Sequence, residues 1–419
     1  MLKFIKLAFG PAYHPVLHKI RTAKHNARLR KEYARSFGRI SAVGERIPGQ
    51  RRRIFVDITG IFLNDRGTGL QRVTREISSR LKEFCTDFDV VLVFCKDVGY
   101  RECDTGIEIA VRRGDIFFVL DQVIPKLILH RTFFERLISE NVTVAAFFYD
   151  LILLKYPKLC NKTDVRIFPS LLALVIRFPL IICDSDSIAA ELIEYLEAHP
   201  MIRRNPDLKI DTALLGCDFS HMNAERSFPA NKESPAFLMV STVEPRKMYA
   251  QAVRAFDLLW EKGLTVSLWI VGRPGWGGVK NKRTFRLIEK NRRFGTNLLW
   301  YKTGIGDDEL AALYERCDAV IFASKAEGFG LAVAEGAYFK KPLILRDIPV
   351  FREIAGDNAF YFSGESADSL ALKIEEWLEL YRDDLVPDSS RITLPTWHDC
   401  AGRVLDILTS NCKGGDTAL

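Results

Sequence analysis

The chain has 419 residues, of which 48% are apolar, 27% charged and 11% aromatic. Those proportions exclude collagen-like, coiled-coil and disordered chains, and the length argues for two to three domains rather than one. The formal charge of +7 is unevenly placed, because residues 1–53 carry 14 Lys and Arg against only Glu32 and Glu45, which leaves the remainder net acidic.

Residues 1–52 read as a basic N-terminal arm. Leu2, Phe4, Ile5, Leu7 and Phe9 are interleaved with Lys3 and Lys6, and Lys19, Arg21, Lys24, Arg28, Arg30 and Lys31 follow. Such an arm suits an anionic membrane surface, where each basic residue gains roughly 1 kcal/mol and the apolar side chains dip inward. No nucleic-acid-binding motif follows it, so nucleic acid is not an expected partner. There is no uninterrupted apolar segment with a small-residue cleavage site, so a signal peptide is not expected. The longest apolar run, Leu171 to Cys183, is broken by Arg177 and Pro179 and is too short to span a bilayer. Nine cysteines without a CxxC pair fit a reducing compartment. The expected location is the cytoplasm, with the arm resting peripherally on the inner face of the membrane.

From Arg53 onward, short β-branched or aromatic runs alternate with helical patterns, the signature of βαβ units and parallel sheets. The first domain is expected over 53–218, with strands at Ile54–Ile58, Val90–Phe94, Ile116–Leu120, Val142–Tyr149 and Leu180–Cys183. After a loop Thr59–Gly69, the spacing of Leu70, Val73, Ile77, Leu81 and Phe84 predicts an amphipathic helix. Gly69 would let backbone approach a phosphate or sugar. The third glycine of GxGxxG is missing, so no dinucleotide cofactor is expected. The triplet Asp184-Ser-Asp186 precedes the helical pattern Ile188–Leu196 and reads as a helix cap; Asp87-Phe-Asp89 lies between a helix and a strand. No HExxH or G-x-S-x-G pattern occurs, so metal hydrolysis and serine hydrolysis lack support and no metal ligands are assigned.

Residues 219–235 are polar, aperiodic and hold two prolines, as an interdomain linker would. The alternation resumes in a second domain over 236–388, with strands at Phe237–Ser241, Val266–Gly272, Leu298–Tyr301, Ala319–Ala323, Pro342–Leu345 and Ala359–Phe362. Helical patterns at Tyr249–Glu261, Asp308–Glu315 and Leu331–Phe339 lie between them, and residues 389–419 form a C-terminal helix and tail. The fold class is α/β: two Rossmann-like, doubly wound domains facing a cleft at the carboxyl ends of their strands.

Two stretches carry the chemistry. Glu327-Gly328-Phe329-Gly330-Leu331, with Glu335 eight residues after Glu327, follows a strand and opens a helix. Backbone amides there suit a phosphate, whereas the carboxylate of Glu327 suits neutral sugar hydroxyls beside it, and Glu335 suits a ribose diol. Glu244-Pro-Arg246-Lys247 follows the first strand of the second domain, and its two cations are placed to neutralise a diphosphate leaving group.

These stretches, together with Phe55-Val-Asp-Ile-Thr-Gly60, Gly67-Thr-Gly-Leu-Gln-Arg-Val73, Tyr149-Asp150-Leu151, Ile270-Val-Gly-Arg-Pro-Gly-Trp276, Asp347-Ile-Pro-Val-Phe-Arg-Glu-Ile-Ala-Gly356 and Trp397-His-Asp-Cys-Ala401, resemble the retaining glycosyltransferases of the GT-B fold, family 4 (group 1). The resemblance covers roughly residues 53–405 and includes bacterial polysaccharide and O-antigen mannosyltransferases. It implies that Arg246 and Lys247 contact a donor diphosphate, that Glu327 binds the donor sugar and Glu335 the ribose, and that Gly328, Phe329, Gly330 and Leu331 supply backbone amides. It further implies that Gly69 approaches the donor from the first domain and that Tyr149 and Asp150 lie near the reacting sugar. Relatives commonly read His where this chain has Tyr149, and a tyrosine titrating near 10 is a poor base at neutral pH. The chain also departs at Ala332, where Pro is usual, and at Gly336-Ala-Tyr-Phe-Lys-Lys341.

The implied activity is metal-independent transfer of a hexose, mannose first, with retention, from a nucleotide diphosphate sugar such as GDP-mannose. The implied acceptor is a saccharide or lipid-linked oligosaccharide of bacterial cell-surface polysaccharide or lipopolysaccharide synthesis, and no cofactor is needed beyond the donor. The alternatives are a rhamnosyl- or glucosyltransferase of the same fold, a sugar-nucleotide epimerase, and a binding module without turnover.

Overall fold

The computed structural model describes residues 43–412 except 66, 96–98, 219–231, 276–277 and 304, so most of the expected arm and linker, and Trp276, lie outside the described residues. The described residues form two compact α/β units.

The first unit takes in the described residues up to Tyr149, Thr163–Leu215, and the segment from Trp397 onward. Its strands are β1 (Arg52–Asp57), β2 (Phe88–Phe94), β3 (Arg101–Glu102), β4 (Ile116–Val119), β5 (Thr143–Phe148), β6 (Leu180–Cys183) and β7 (Lys209–Thr212). They make one sheet in the order β3-β2-β1-β4-β5-β6-β7, parallel throughout except for the β2–β3 edge. Every residue of β4, β5 and β6 is buried, as strands covered on both faces must be, which explains their nearly unbroken apolar runs. The short edge strands β3 and β7 escape sequence reading. Lys-Ile-Asp-Thr of β7 has neither the length nor the apolar content of a strand, and an edge position tolerates both.

The helix Gly69–Phe84 forms as its spacing predicts, with Val73, Ile77 and Leu81 buried and Thr68 and Gln71 closing a reciprocal cap at its start. The stretch expected as a loop from Thr59 to Gly69 instead contains the helix Thr59–Asn64. Its start is held from near and far: Asp57 accepts from the Thr59 amide at 3.0 Å, and the carboxylate of Asp121, just after β4, accepts from the Ile61 amide at 2.9 Å. The helix Trp397–Ser410, from the far end of the chain, buries Trp397, Ala401, Val404 and Leu408 and packs on the helix Gly69–Phe84. In the helix Asp186–Ala198, the cap is Ser185, whose hydroxyl accepts from the Ile188 amide at 3.2 Å.

The second unit comprises Asp150–Lys162 and Gly216–Thr396. Its six strands are β8 (Ala236–Val240), β9 (Ser267–Val271), β10 (Leu298–Tyr301), β11 (Ala319–Phe322), β12 (Leu343–Arg346) and β13 (Phe360–Phe362), ordered β10-β9-β8-β11-β12-β13 and all parallel. Phe237 on β8 meets Phe256 of the helix Tyr249–Glu261 and Trp377 of the helix Ala367–Arg382 edge-on, at 5.3 and 5.2 Å between ring centroids, and these rings anchor the core. In both sheets the strand order reverses direction beside the first strand, between β1 and β4 and between β8 and β11. Loops leaving two such strands run to opposite faces and open a crevice at the carboxyl ends. Among the described residues no helix is long and apolar enough to cross a membrane.

Candidate functional site

The site in the second unit is built at the reversal between β8 and β11. After β8 the chain runs extended to Glu244, makes a single 3-10 turn over Pro245–Lys247, and passes through Met248 at φ 56° before the helix Tyr249–Glu261 begins. A left-handed methionine costs of order 1 kcal/mol or more, and here it bends the chain immediately after the two cations. After β11 the chain forms Ser324–Gly330, with Gly330 at φ 95°, and enters the helix Leu331–Tyr338. The two loops are stitched together by the Lys325 amide donating to the Arg246 carbonyl at 2.9 Å.

Residues about 80 apart in sequence thereby meet. Arg246 Nη1 donates to Glu327 Oε2 at 2.8 Å and to the Ala326 carbonyl at 3.0 Å, while Lys247 Nζ donates to Glu327 Oε1. On its other side Arg246 Nε lies 3.3 Å from Glu244 Oε2. The Glu327 side chain is only 7% exposed. Burial pushes its carboxyl up, but Lys247 and Arg246, with hydrogen bonds from Lys247 and Ser324, outweigh that and hold it at about 2. Burial and the neighbouring Arg246 push Lys247 down, while Glu327 opposes the shift. Arg246 stays protonated, burial being overcome by Glu327 and Glu244, with Asp150 adding to the effect. Glu244 is pushed up by burial, with Arg246 and Lys247 partly offsetting it. Two carboxylates and two cations thus sit together, largely shielded from solvent, with their charges balanced.

The loop after β9 closes the floor. Gly275 donates to the Val243 carbonyl at 3.1 Å, and the Asn281 amide donates to the carbonyls of Val243 and Gly275 at 2.7 and 2.8 Å. A Cβ at Gly275 would stand 2.5 Å from Glu244 Cγ, so only glycine admits this approach.

Of the residues singled out from sequence, Arg246, Lys247 and Glu327 are in direct contact, and Asp150, whose carboxylate accepts from the Ile152 amide at 2.8 Å, acts electrostatically on Arg246 within the same unit. Phe329 is buried, and Gly328, Gly330 and Leu331 form the turn into the helix Leu331–Tyr338, which has no side-chain cap. Glu335 is also buried rather than solvated. Its Oε2 accepts a hydrogen bond from Tyr314 at 2.8 Å, and the Tyr314 ring stacks on Phe339.

Tyr149 and Gly69 belong to the first unit. The Tyr149 hydroxyl donates to the Leu120 carbonyl at 2.9 Å, and burial, with Asp121 nearby, pushes the phenol well above its ordinary range, so this side chain is spent as a structural donor. Gly69 is exposed and is the first residue of its helix.

Sequence reading gave no role to three residues that the folded chain places in polar networks. Glu244 lies two residues before Arg246, and only its pairing reveals it. Tyr314 orients Glu335 from a helix whose spacing marks it merely as core. Asp57, at the end of β1, accepts from the Thr59 amide at 3.0 Å, the Thr59 hydroxyl at 2.5 Å and the Tyr100 hydroxyl at 2.9 Å. Burial nonetheless pushes its carboxyl up to about 7.

Comparison with known proteins is consistent with this geometry. Residues 222–388 match the family model of the glycosyl transferases group 1. The serotype-specific mannosyltransferase WbdA of Escherichia coli is 33% identical over 377 residues, covering 84% of this chain and 44% of WbdA. The chain therefore spans about half the length of the curated relatives it matches. O-antigen chain mannosyltransferase B of Escherichia coli is 26% identical over 143 residues, 34% of this chain and 36% of that protein. Among solved structures, Anabaena Alr3699/HepE in complex with UDP and glucose superposes with a TM-score of 0.60 at 17% identity, covering 86% of this chain and 100% of that one. Sucrose-phosphate synthase from Thermosynechococcus elongatus gives a TM-score of 0.57 at 16% identity, covering 85% and 95%. At such identities the likeness is one of fold, and the fold is GT-B.

Proposed function

Residues 222–388 are a glycosyl transferases group 1 domain, and from that premise we propose that the chain is a metal-independent, retaining glycosyltransferase. It moves a hexose, mannose as the leading candidate and GDP-mannose as its donor, to a saccharide acceptor carried on a lipid in bacterial cell-surface polysaccharide synthesis. The observation that carries the reading is the buried Glu327 carboxylate, ionised and shared between Arg246 and Lys247. The leading sugar follows from the mannosyltransferases among the relatives.

Without donor, each cation is neutralised by a carboxylate. A diphosphate brings its own negative charge, so Arg246 and Lys247 turn donors toward it and Glu327 is released to accept from sugar hydroxyls. The uncapped start of the helix Leu331–Tyr338 adds backbone donors and a positive dipole end for the phosphates, and Glu335 takes the ribose. Charge then develops on the departing diphosphate oxygen as the bond from the anomeric carbon breaks, where preorganised cations act most strongly. The acceptor oxygen bonds to the anomeric carbon on the same face, and its proton passes to the departing phosphate oxygen. This route needs no side-chain base, in keeping with a Tyr149 hydroxyl already engaged.

The test is nucleotide release from a panel of GDP-, UDP- and dTDP-sugars, in EDTA, with and without a lipid-linked oligosaccharide extract. Release from one donor, raised by the extract and indifferent to EDTA, is expected. Glu327→Gln keeps the shape but loses the charge and should cut that turnover by roughly tenfold or more, since a hydrogen bond to a charged group is worth about 1.5–3 kcal/mol. Wild-type turnover in this variant would refute the assignment.

A further inference from the structure

The first unit carries a second concentration of charge, at the opposite edge of its sheet from the strands' carboxyl ends. Glu135 and Ile138 lie on the helix Arg131–Ser139, which precedes β5; Arg177 precedes β6; Arg203, Arg204 and Asn205 precede β7. These six residues line one groove.

Its charges are not balanced. Glu135 Oε1 alone receives Arg131 Nε at 2.8 Å, Arg131 Nη2 at 2.6 Å and Arg177 Nη1 at 3.2 Å. Arg203 and Arg204 are exposed and, among the described residues, meet no carboxylate within ion-pair distance. Among the six residues that line the groove, Glu135 is the acidic one, against Arg177, Arg203 and Arg204. Burial and the nearby Arg131 and Arg203 push Arg177 down, and Glu135 offsets this only in part.

The loop that presents the two free arginines is pinned: the Asn205 amide donates to the Ile176 carbonyl at 2.9 Å, its side chain donates to the Arg177 carbonyl at 3.3 Å, and Ile202 is buried. Anchoring of this kind fixes the backbone that carries Arg203 and Arg204 beside Arg177, so that all three border one opening. Planar, weakly hydrated guanidinium groups match phosphate oxygens two at a time. We propose that this groove binds a phosphate group, presented either by an anionic phospholipid at a membrane surface or by a soluble phosphorylated molecule. Met201, two residues before Arg203, is 87% exposed, and an apolar side chain beside the arginines serves the first source only.

The experiment compares the wild-type chain with the double variant Arg203→Ala/Arg204→Ala and with Met201→Ser. Pyrophosphate binding is measured by titration calorimetry, and vesicle binding by co-sedimentation with phosphatidylglycerol against phosphatidylcholine vesicles. Pyrophosphate held at Arg246 and Lys247, and any vesicle contact of the basic N-terminal residues, is common to all three proteins, so the differences report the groove. The double variant should bind one probe roughly tenfold or more weakly, with a shallower salt dependence, as expected for lost charge-assisted hydrogen bonds. Both arginines are exposed, so its thermal unfolding should match the wild type. Weakened vesicle binding that Met201→Ser reproduces assigns a lipid headgroup; weakened pyrophosphate binding with unchanged vesicle binding assigns a soluble phosphate. Equal binding of both probes by wild type and double variant overturns the proposal. The measurement involves no sugar transfer, so its failure leaves the function proposed above untouched.

Discussion

Glu244 and Glu327 hold the same guanidinium from two sides, but they differ in what a ligand can take from them. Glu327 also holds Lys247 and lies on the loop after β11, whereas Glu244 packs close to Gly275 and meets Arg246 through Nε. Glu244 is therefore the standing partner that aims Arg246 when Glu327 turns to a sugar. Glu244→Gln weakens that anchor to a neutral hydrogen bond and raises the local positive charge by one. At 5 Å and an effective dielectric of about 20, one unit charge is worth roughly 3 kcal/mol, enough to keep a diphosphate bound despite a looser guanidinium. The expected outcome is a kcat reduced about tenfold, since small misplacements of a catalytic group are costly, with a donor KM that does not rise. Steady-state nucleotide release measures both, and a raised KM at unchanged kcat would count against this role.

At the scale of elements, the Glu327 loop and the helix Leu331–Tyr338 meet at Gly330. Its φ of 95° and the 2.9 Å that would separate an added Cβ from Phe351 Cε1 both exclude a side chain. Gly330→Ala should destabilise the protein by about 1–3 kcal/mol through the strained backbone alone, read as a lower midpoint of chemical denaturation. The loss should come with a weaker nucleotide affinity, because the turn that carries Gly328 to Leu331 is displaced. Unchanged stability would mean that the turn relaxes freely. The elements themselves were largely legible: β4, β5, β6 and β11 are apolar runs because both their faces are covered, and the helix Gly69–Phe84 shows its buried stripe at helical spacing. The helix Thr59–Asn64 was not, because one of the two carboxylates that hold its first turn, Asp121, lies 60 residues away.

The whole molecule's stability should carry the imprint of Asp57. Its carboxyl, held at about 7 in the folded chain, belongs to a group whose ordinary value is 3.8. A raised folded value means that the native state holds the proton more tightly, so the stabilising contribution is complete below the unfolded value and is lost as pH rises through 7. Asp57→Asn imitates the protonated side chain, keeping an acceptor for Thr59 and a polar partner for Tyr100. Denaturation of variant and wild type at several pH values should show the variant gaining on the wild type between pH 4 and 8, by an amount of order a few kcal/mol. Carboxylates remote from Asp57, Glu327 among them, titrate alike in both proteins and cancel in the difference. A difference that stays flat with pH would show that Asp57 remains charged in the folded state.

The sequence by itself determined the two α/β halves and the residue types of the site. Alternating apolar runs, glycine turns, an Arg-Lys pair after one strand and Glu-Gly after another are local patterns, set within a few residues of each other. Only the tertiary structure decided which of these patterns meet. The order β10-β9-β8-β11-β12-β13 sets β8 beside β11 and so brings Arg246 and Lys247 to Glu327. Folding also pairs Glu244 with Arg246 and places Trp397–Ser410 in the first unit. The arginines of Arg177 and the 203–204 pair gather on the first sheet in the same way. Strand order depends on which apolar faces can be buried together, a property of the whole set of elements that no window of neighbouring residues contains.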